Sequence, residues 1–354
     1  MFESSFNPQG PQAQQRREAM LARLAQLRAL EDRAAQASAK SKPVFDKRGQ
    51  LLPRERVALL LDPGAPYVPL CSLAGYLQDH KDPEKSVPGG GMLAGMGFIS
   101  GVRCMVVASD SGIDAGAIQA RGLEKILRVQ EIALQNQLPF IHLVESAGAN
   151  LTKYQVEGFV LGGSLFRNLA RLSAAGIPVI TVQHGSGTAG GAYMPGLSDI
   201  VIMVRGRSRA FLAGPPLLLA ATGEVATEEE LGGAEMHAQI AGTAEYLAEN
   251  DADGVRIVRE IVSLLPWNER LPSMPKRTYA EPLYPIDELL GLIPDDPKKP
   301  YDVREIIARI ADESDFLEFK GEYDQQTLCG QLKIQGRACG FIGNNGPITP
   351  NGAS

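Results

Sequence analysis

The 354-residue chain has only four cysteines, Cys71, Cys104, Cys329 and Cys339, and none of them forms a CxxC. Its four histidines, His80, His142, His184 and His237, lack the spacing of a metal site. Composition therefore gives no basis for a metal centre. Cys104 and Cys339 sit in apolar, strand-like runs and are expected to be buried thiols. No apolar N-terminal stretch has the length of a signal, and no run is long enough to span a bilayer. No basic patch points to nucleic acid, and no long acidic run occurs; the formal net charge is −6. These absences fit a protein of the reducing cytoplasm with no membrane partner. With 44% hydrophobic and 21% charged residues the chain is ordinary for a soluble globular protein, and it can bury a sizeable core.

Residues 12–40 are rich in Ala, Gln, Arg and Leu. Met20, Leu21, Leu24, Leu27 and Leu30 recur at helical spacing, which predicts a surface or interface helix with a core-packing stripe rather than a binding box. Residues 51–64 predict a short helix with Pro53 in its first turn and Asp62-Pro63-Gly64 ending it. Strands are expected at 92–100, 103–108, 140–144 and 201–204, and helices at 123–135, 159–174 and 253–265. The Pro-rich residues 272–299 predict an extended segment.

The chain also repeats itself. Arg54-Glu55-Arg56-Val57-Ala58-Leu59-Leu60-Leu61-Asp62 resembles Arg304-Glu305-Ile306-Ile307-Ala308-Arg309-Ile310-Ala311-Asp312. Further on, 101–110 resembles 336–345, in the same order. A helix followed by a two-strand unit therefore begins twice.

The densest signal is a pair of Gly-rich stretches. Ile177-Pro178-Val179-Ile180-Thr181-Val182 runs into His184-Gly185-Ser186-Gly187-Thr188-Ala189-Gly190-Gly191-Ala192-Tyr193. Leu138-Pro139-Phe140-Ile141-His142-Leu143-Val144 runs into Glu145-Ser146-Ala147-Gly148-Ala149-Asn150. Each reads as strand, glycine turn, helix. Glycines let a ligand approach the backbone, and a helix start presents free N–H groups that can hold a thioester oxygen as it becomes an enolate. One such stretch alone could be a plain tight turn. Two in adjacent units point to an oxyanion site made of main chain.

These motifs occur in order with Met194-Pro195-Gly196-Leu197-Ser198-Asp199, Phe211-Leu212-Ala213-Gly214-Pro215-Pro216-Leu217, Ala221-Thr222-Gly223-Glu224 and Glu229-Glu230-Leu231-Gly232-Gly233-Ala234. From about Arg54 onward the set resembles the carboxyltransferase (beta) subunit of biotin-dependent acyl-CoA carboxylases. The resemblance implies a crotonase-like α/β fold of ββα units, with an N-terminal helical extension at 1–50, a first carboxyltransferase domain at 51–295 and the beginning of a second at 296–354. On this reading the chain stops short of a full subunit.

The resemblance further implies transfer of CO2 from carboxybiotin, supplied by a biotin carboxylase or biotin carrier subunit, to an acyl-CoA. It also implies a homo-oligomer, a hexamer in the family. The oxyanion amides would come from Ala147, Gly148 and Ala149 and from Gly190 and Gly191. Tyr193 and Met194 would line an acyl pocket, with core packing the rival reading. Ala115, Gly116 and Ala117 with Arg121, Lys125 and Arg128 form the candidate CoA side, against a plain solvated helix face. The family has paired glycines where Ala115-Gly116 stands. Glu145 is either a base for hydratase or isomerase chemistry or an orienter of its turn, and His184 is expected to be a structural or pocket residue rather than a base. The motifs are more similar to the methylcrotonyl-CoA and geranyl-CoA carboxylases than to propionyl-CoA enzymes. A propionyl-CoA or acetyl-CoA carboxyltransferase, a biotin-independent hydratase or isomerase and an inactive acyl-CoA-binding fragment remain the alternatives.

Overall fold

The computed structural model describes residues 2–148, 156–270, 277–296 and 298–353. A long helix, α1 (Pro11–Ala39), opens the chain and is followed by α2 (Lys42–Lys47). The apolar stripe expected on α1 does not form a core face: Leu21 and Leu27 are exposed, and the buried positions are Ala13, Ala34 and Ser38. Two compact units are present, Leu30–Leu271 and Met1–Ala29 with Pro272–Ser354.

In the larger unit α3 (Pro53–Leu60) starts with proline at its first turn, and the Leu52 N–H donates to the Glu55 carboxylate at 2.7 Å. The sheet is built from β1 (Val68–Pro69), β2 (Met92–Ile99), β3 (Val102–Ser109), β4 (Phe140–Ser146), β5 (Val179–Thr188), β6 (Ile200–Val204), β7 (Arg209–Phe211) and β8 (Tyr246–Ala248). Its order is β1-β2-β3-β4-β5-β6-β8, with β7 also pairing β5. The β2–β3 hairpin is antiparallel, and pairing is parallel from β3 onward. Crossover helices α4 (Ala120–Gln135) and α5 (Val156–Ala174) link β3, β4 and β5, and α6 (Gly190–Gly196) follows β5. Strands covered on both faces read as unbroken apolar runs. Phe140, Ile141, Val179, Ile180, Val182 and Ile202 are accordingly fully buried. The sequence reading of these strands and helices thus recovers the ββα order. Short helices α7 (Pro215–Thr222) and α8 (Glu228–Gly232) precede β8, and α9 (Asp251–Leu264) and α10 (Trp267–Arg270) close the unit.

One expected turn is strand. β5 continues through His184, Gly185, Ser186, Gly187 and Thr188, where a glycine turn was expected. The glycines make room for side chains. A Cβ on Gly185 would lie 2.5 Å from Glu145 Oε1, and one on Gly187 would lie 2.9 Å from Gln183 Nε2. The β4–β5 register also shifts here, Val144 pairing Gln183 and Ser146 pairing Gly187.

The smaller unit holds α11 (Leu289–Leu292), α12 (Arg304–Ile310) and the antiparallel strands β9 (Leu317–Phe319), β10 (Thr327–Ile334) and β11 (Arg337–Asn344). Val303, Ile307, Ala311, Leu328 and Leu332 form its core. Of the segment expected to be extended, 277–285 carry no helix, and a 3-10 turn at Ile286–Glu288 then leads into α11; residues 272–276 and 297 lie outside the described residues. Cys104 is buried as expected, but Cys339 is only partly covered.

The internal repeat has a matching detail in each unit. After α3, Asp62 accepts the N–H groups of Ser100 and Gly101 at 2.8 and 2.7 Å, clasping the β2–β3 turn. After α12, Asp312 accepts those of Gln335 and Gly336, both at 2.7 Å, clasping the β10–β11 turn. Both turns have two residues at positive φ, as tight hairpins require. Among the described residues no helix is long and apolar enough to cross a membrane.

Candidate active site

Parallel pairing sets the C-terminal ends of β4 and β5 side by side, and the two predicted turns meet there. A Cβ on Gly148 would lie 2.8 Å from the Thr188 carbonyl oxygen, and one on Gly191 would lie 3.0 Å from that of Ser146. Glycine at both places lets the backbones touch. Ala189, at φ 51 and ψ −116, turns the chain from β5 into α6. Gly190 and Gly191 are the first residues of α6, so their N–H groups have no acceptor within the helix.

The first turn is more occupied than its sequence suggests. The Ala147 N–H donates to the Ala115 carbonyl at 3.2 Å, and the Gly148 N–H to Ser146 Oγ at 3.1 Å. Two of the three expected donors of this turn are thus engaged within the fold, and residues 114–118 are stitched onto the end of β4. Ser146 Oγ donates to the Gly116 carbonyl at 2.8 Å, and the Ile118 N–H to that of Gly148 at 2.8 Å. Gly116, at φ 70, has no room for a side chain: a Cβ would lie 2.1 Å from the Glu145 carbonyl oxygen. Ala149 and Asn150 lie outside the described residues.

Beneath the turns lies a buried ion cluster. Arg56 Nη1 donates to Glu145 Oε2 at 2.7 Å, and its Nε to Asp251 Oδ2 at 3.1 Å. Its Nη2 lies 3.0 Å from the same Asp251 oxygen, an ion pair without hydrogen-bond alignment. Glu145 also accepts from Ser111 Oγ at 2.8 Å and Gln50 Nε2 at 3.0 Å. Asp251 also accepts from the Leu51 N–H at 2.8 Å and Arg207 Nη1 at 3.3 Å, and it meets His184 Nδ1 at 3.0 Å. Burial pushes both carboxylates up, but their partners outweigh it. The Arg56 charge with hydrogen bonds from Arg56, Ser111 and Gln50 holds Glu145 below the usual carboxylate range. His184, Arg56 and the Leu51 amide hold Asp251 at about 2. Burial and then the Arg56 charge lower His184, against the pull of Asp251 and Glu145. The imidazole is therefore neutral, with its Nδ1–H on Asp251.

The carboxyl transferase domain model matches residues 45–353 of this sequence. The chain belongs to the carboxyl transferase family. The probable biotin-dependent acyl-CoA carboxylase beta2 subunit of Mycobacterium tuberculosis is 47% identical over 297 residues, 84% of this chain and 54% of that protein. The mitochondrial methylcrotonoyl-CoA carboxylase beta chain of Dictyostelium discoideum is 44% identical over 302 residues, 84% of this chain and 50% of that one. The crystal structure of the geranyl-CoA carboxylase beta subunit of P. aeruginosa matches with a TM-score of 0.91 and 60% identity, over 99% of this chain and 65% of that one. Transcarboxylase 12S, described as a hexamer assembly, matches with a TM-score of 0.60 and 28% identity, over 92% and 62%. The fold is the crotonase fold of these carboxyltransferases. The chain spans about half the length of the curated relatives named here.

In this carboxyl transferase domain the three expected CoA cations do not converge. Lys125 is buried, and its Nζ donates to the carbonyls of Gly89 at 3.2 Å and Met92 at 2.8 Å. Burial lowers it to about 8. It lines a cavity of about 240 Å³ with Arg54, Tyr67, Met92 and Asp110. Arg121 and Arg128 instead pair along the helix with Glu124 at 2.6 Å and Glu131 at 2.5 Å. Ala115, Gly116 and Ala117 do lie at the first turn, through the bonds just given. Tyr193 stays exposed against Phe166, with ring centroids 4.8 Å apart. Met194 is buried in the main core, as the rival packing reading requires.

Arg56, Asp251, Gln50 and Ser111 were not singled out in the sequence as site residues. Arg56 had one legible signal: it stands four positions before the fully buried Leu60, on the same helix face. His184 is fully buried, with its ring on Asp251.

Proposed function

We propose that the chain binds an acyl-CoA and stabilises its enolate for biotin-dependent carboxyl transfer, with a branched enoyl-CoA of the geranyl or 3-methylcrotonyl type as acceptor. The observation that carries this reading is the meeting of the β4 and β5 ends through Gly148 and Gly191. There the Gly190 and Gly191 N–H groups form the candidate donors to a thioester oxygen. Losing one such donor typically costs ~2.7–4 kcal/mol of transition-state stabilisation. The 60% identity to a geranyl-CoA carboxylase beta subunit supports the acceptor class. Carboxybiotin, brought by a biotin-bearing partner subunit, would supply the carboxyl group. A homo-oligomer is part of the same reading, supported by the hexamer of transcarboxylase 12S.

Glu145 does not act as the base in this scheme. Its carboxylate is committed to Arg56, Ser111 and Gln50, which argues against a hydratase or isomerase built on it. The test is calorimetric titration of the chain with geranyl-CoA, 3-methylcrotonyl-CoA, propionyl-CoA and free CoA. Tighter binding of the branched enoyl thioesters than of free CoA is expected. Equal affinity for all four would overturn the reading.

A further inference from the structure

We propose that the Arg56-centred ion cluster is a positioning device that sets where the main-chain donors Gly190 and Gly191 stand. The proposal rests on the oxyanion reading and goes beyond it by assigning the residues that fix the donors. Arg56 comes from α3, far from either turn in sequence, and touches no candidate donor. Its guanidinium joins the two strand ends all the same. On one side it holds Glu145, the residue at the β4–β5 register shift, whose Oε1 occupies the space over Gly185. On the other it holds Asp251, at the start of α9, which binds the His184 ring on β5. Gln50 closes the circuit: its Nε2 donates to Glu145 at 3.0 Å and to the His184 carbonyl at 3.4 Å.

Two guanidinium groups, Arg56 and Arg207, face two carboxylates, Glu145 and Asp251, so the cluster is balanced without a charge on His184. A buried ion set is a poor source of stability, and its best-attested use is to fix register. This one sits where the register breaks and where the two backbones must touch. Removing the Arg56 charge leaves two buried carboxylates that would push the strand ends apart, and the Gly190–Gly191 amides with them.

The experiment is isotope-edited infrared spectroscopy of 3-methylcrotonyl-CoA, labelled at the thioester carbonyl, bound to the whole chain. Amides aimed at that oxygen polarise it and lower its stretching frequency. The wild-type chain should show this downshift. Arg56→Gln should lose most of it while binding the thioester with little change in Kd, and Arg56→Lys should restore part of it. A change in overall stability alone would not produce that pattern. A full downshift in folded Arg56→Gln overturns the proposal and leaves the oxyanion reading intact. No downshift in the wild type overturns both. If Arg56→Gln does not fold, Gln50→Ala decides, since it removes only a neutral bridge: a reduced downshift supports the positioning role, and a full one overturns it.

Discussion

The Glu145 carboxylate occupies the place of a Gly185 side chain: a Cβ there would lie 2.5 Å from Oε1 and 2.8 Å from the carboxyl carbon. Gly185→Ala therefore displaces Glu145 from Arg56 or bends β5. Overpacking of this kind typically costs ~1–3 kcal/mol. Urea denaturation of the variant should show a loss in that range. A midpoint equal to wild type would mean that Glu145 has room to move away.

Gly191→Val should cripple carboxyl transfer more than it harms folding. The cause differs from the one the glycine pattern suggests, since Gly191 is not among the positive-φ residues. The absent side chain instead makes room for the Ser146 carbonyl, 3.0 Å from where a Cβ would stand. Valine would wedge the two turns apart and crowd a bound thioester. Assayed with the biotin-bearing partner, the variant should lose turnover while keeping its circular dichroism spectrum; wild-type turnover would refute the role of Gly191.

Glu145→Gln keeps the size of the side chain while removing its charge and one of the two oxygens that accept from Gln50, Ser111 and Arg56. Turnover with the partner should fall by less than the ~10²–10⁴-fold expected of a lost general base. A drop that large would favour a hydratase-type role for Glu145.

His142 lies in β4 with both ring nitrogens unpartnered among the described residues, and burial lowers it from 6.5 to about 3. Below 6.5 the unfolded chain takes up a proton that the native chain refuses. Stability is therefore whole above 6.5 and falls as pH drops toward 3, by ~1.4 kcal/mol per pH unit for this group. His142→Leu removes that share of the slope and breaks no hydrogen bond. Denaturation at a series of pH values should show a flatter acid limb for the variant; an unchanged limb would place the acid sensitivity elsewhere.

The sheet was legible because its strands are covered on both faces, so that runs such as Phe140-Ile141-His142-Leu143-Val144 stand out. The helices α4 and α9 were legible by their apolar periodicity. The ion cluster was not. Arg56 lies 89 residues from Glu145 and 195 from Asp251, and no local pattern announces partners at that separation. Gly185 and Gly187 were read as a turn because clustered glycines mark turns, whereas here they yield space to Glu145 and Gln183 across and along the strand. Lys125 kept a helical spacing from Arg121 and Arg128 that suits a phosphate site. Only the fold brings the Gly89 and Met92 carbonyls to its amine.

Asp62 and Asp312 each lock a hairpin to the helix that precedes it, using one carboxylate and two turn amides. Those three groups lie inside one module in each copy, and in the first Arg259 Nη2 of α9 also reaches Asp62 Oδ1 at 2.9 Å. Such a module can be duplicated without new parts to hold it, and the spacing inside it can drift. The aspartate stands 38 and 39 residues before its amides in the first copy, and 23 and 24 in the second. The intervening chain is thereby released from the duty of keeping the turn in place. In the larger unit that longer stretch is spent on β1 and on the Gly89–Gly91 turn that Lys125 holds, so the two copies share the lock and differ in what lies between.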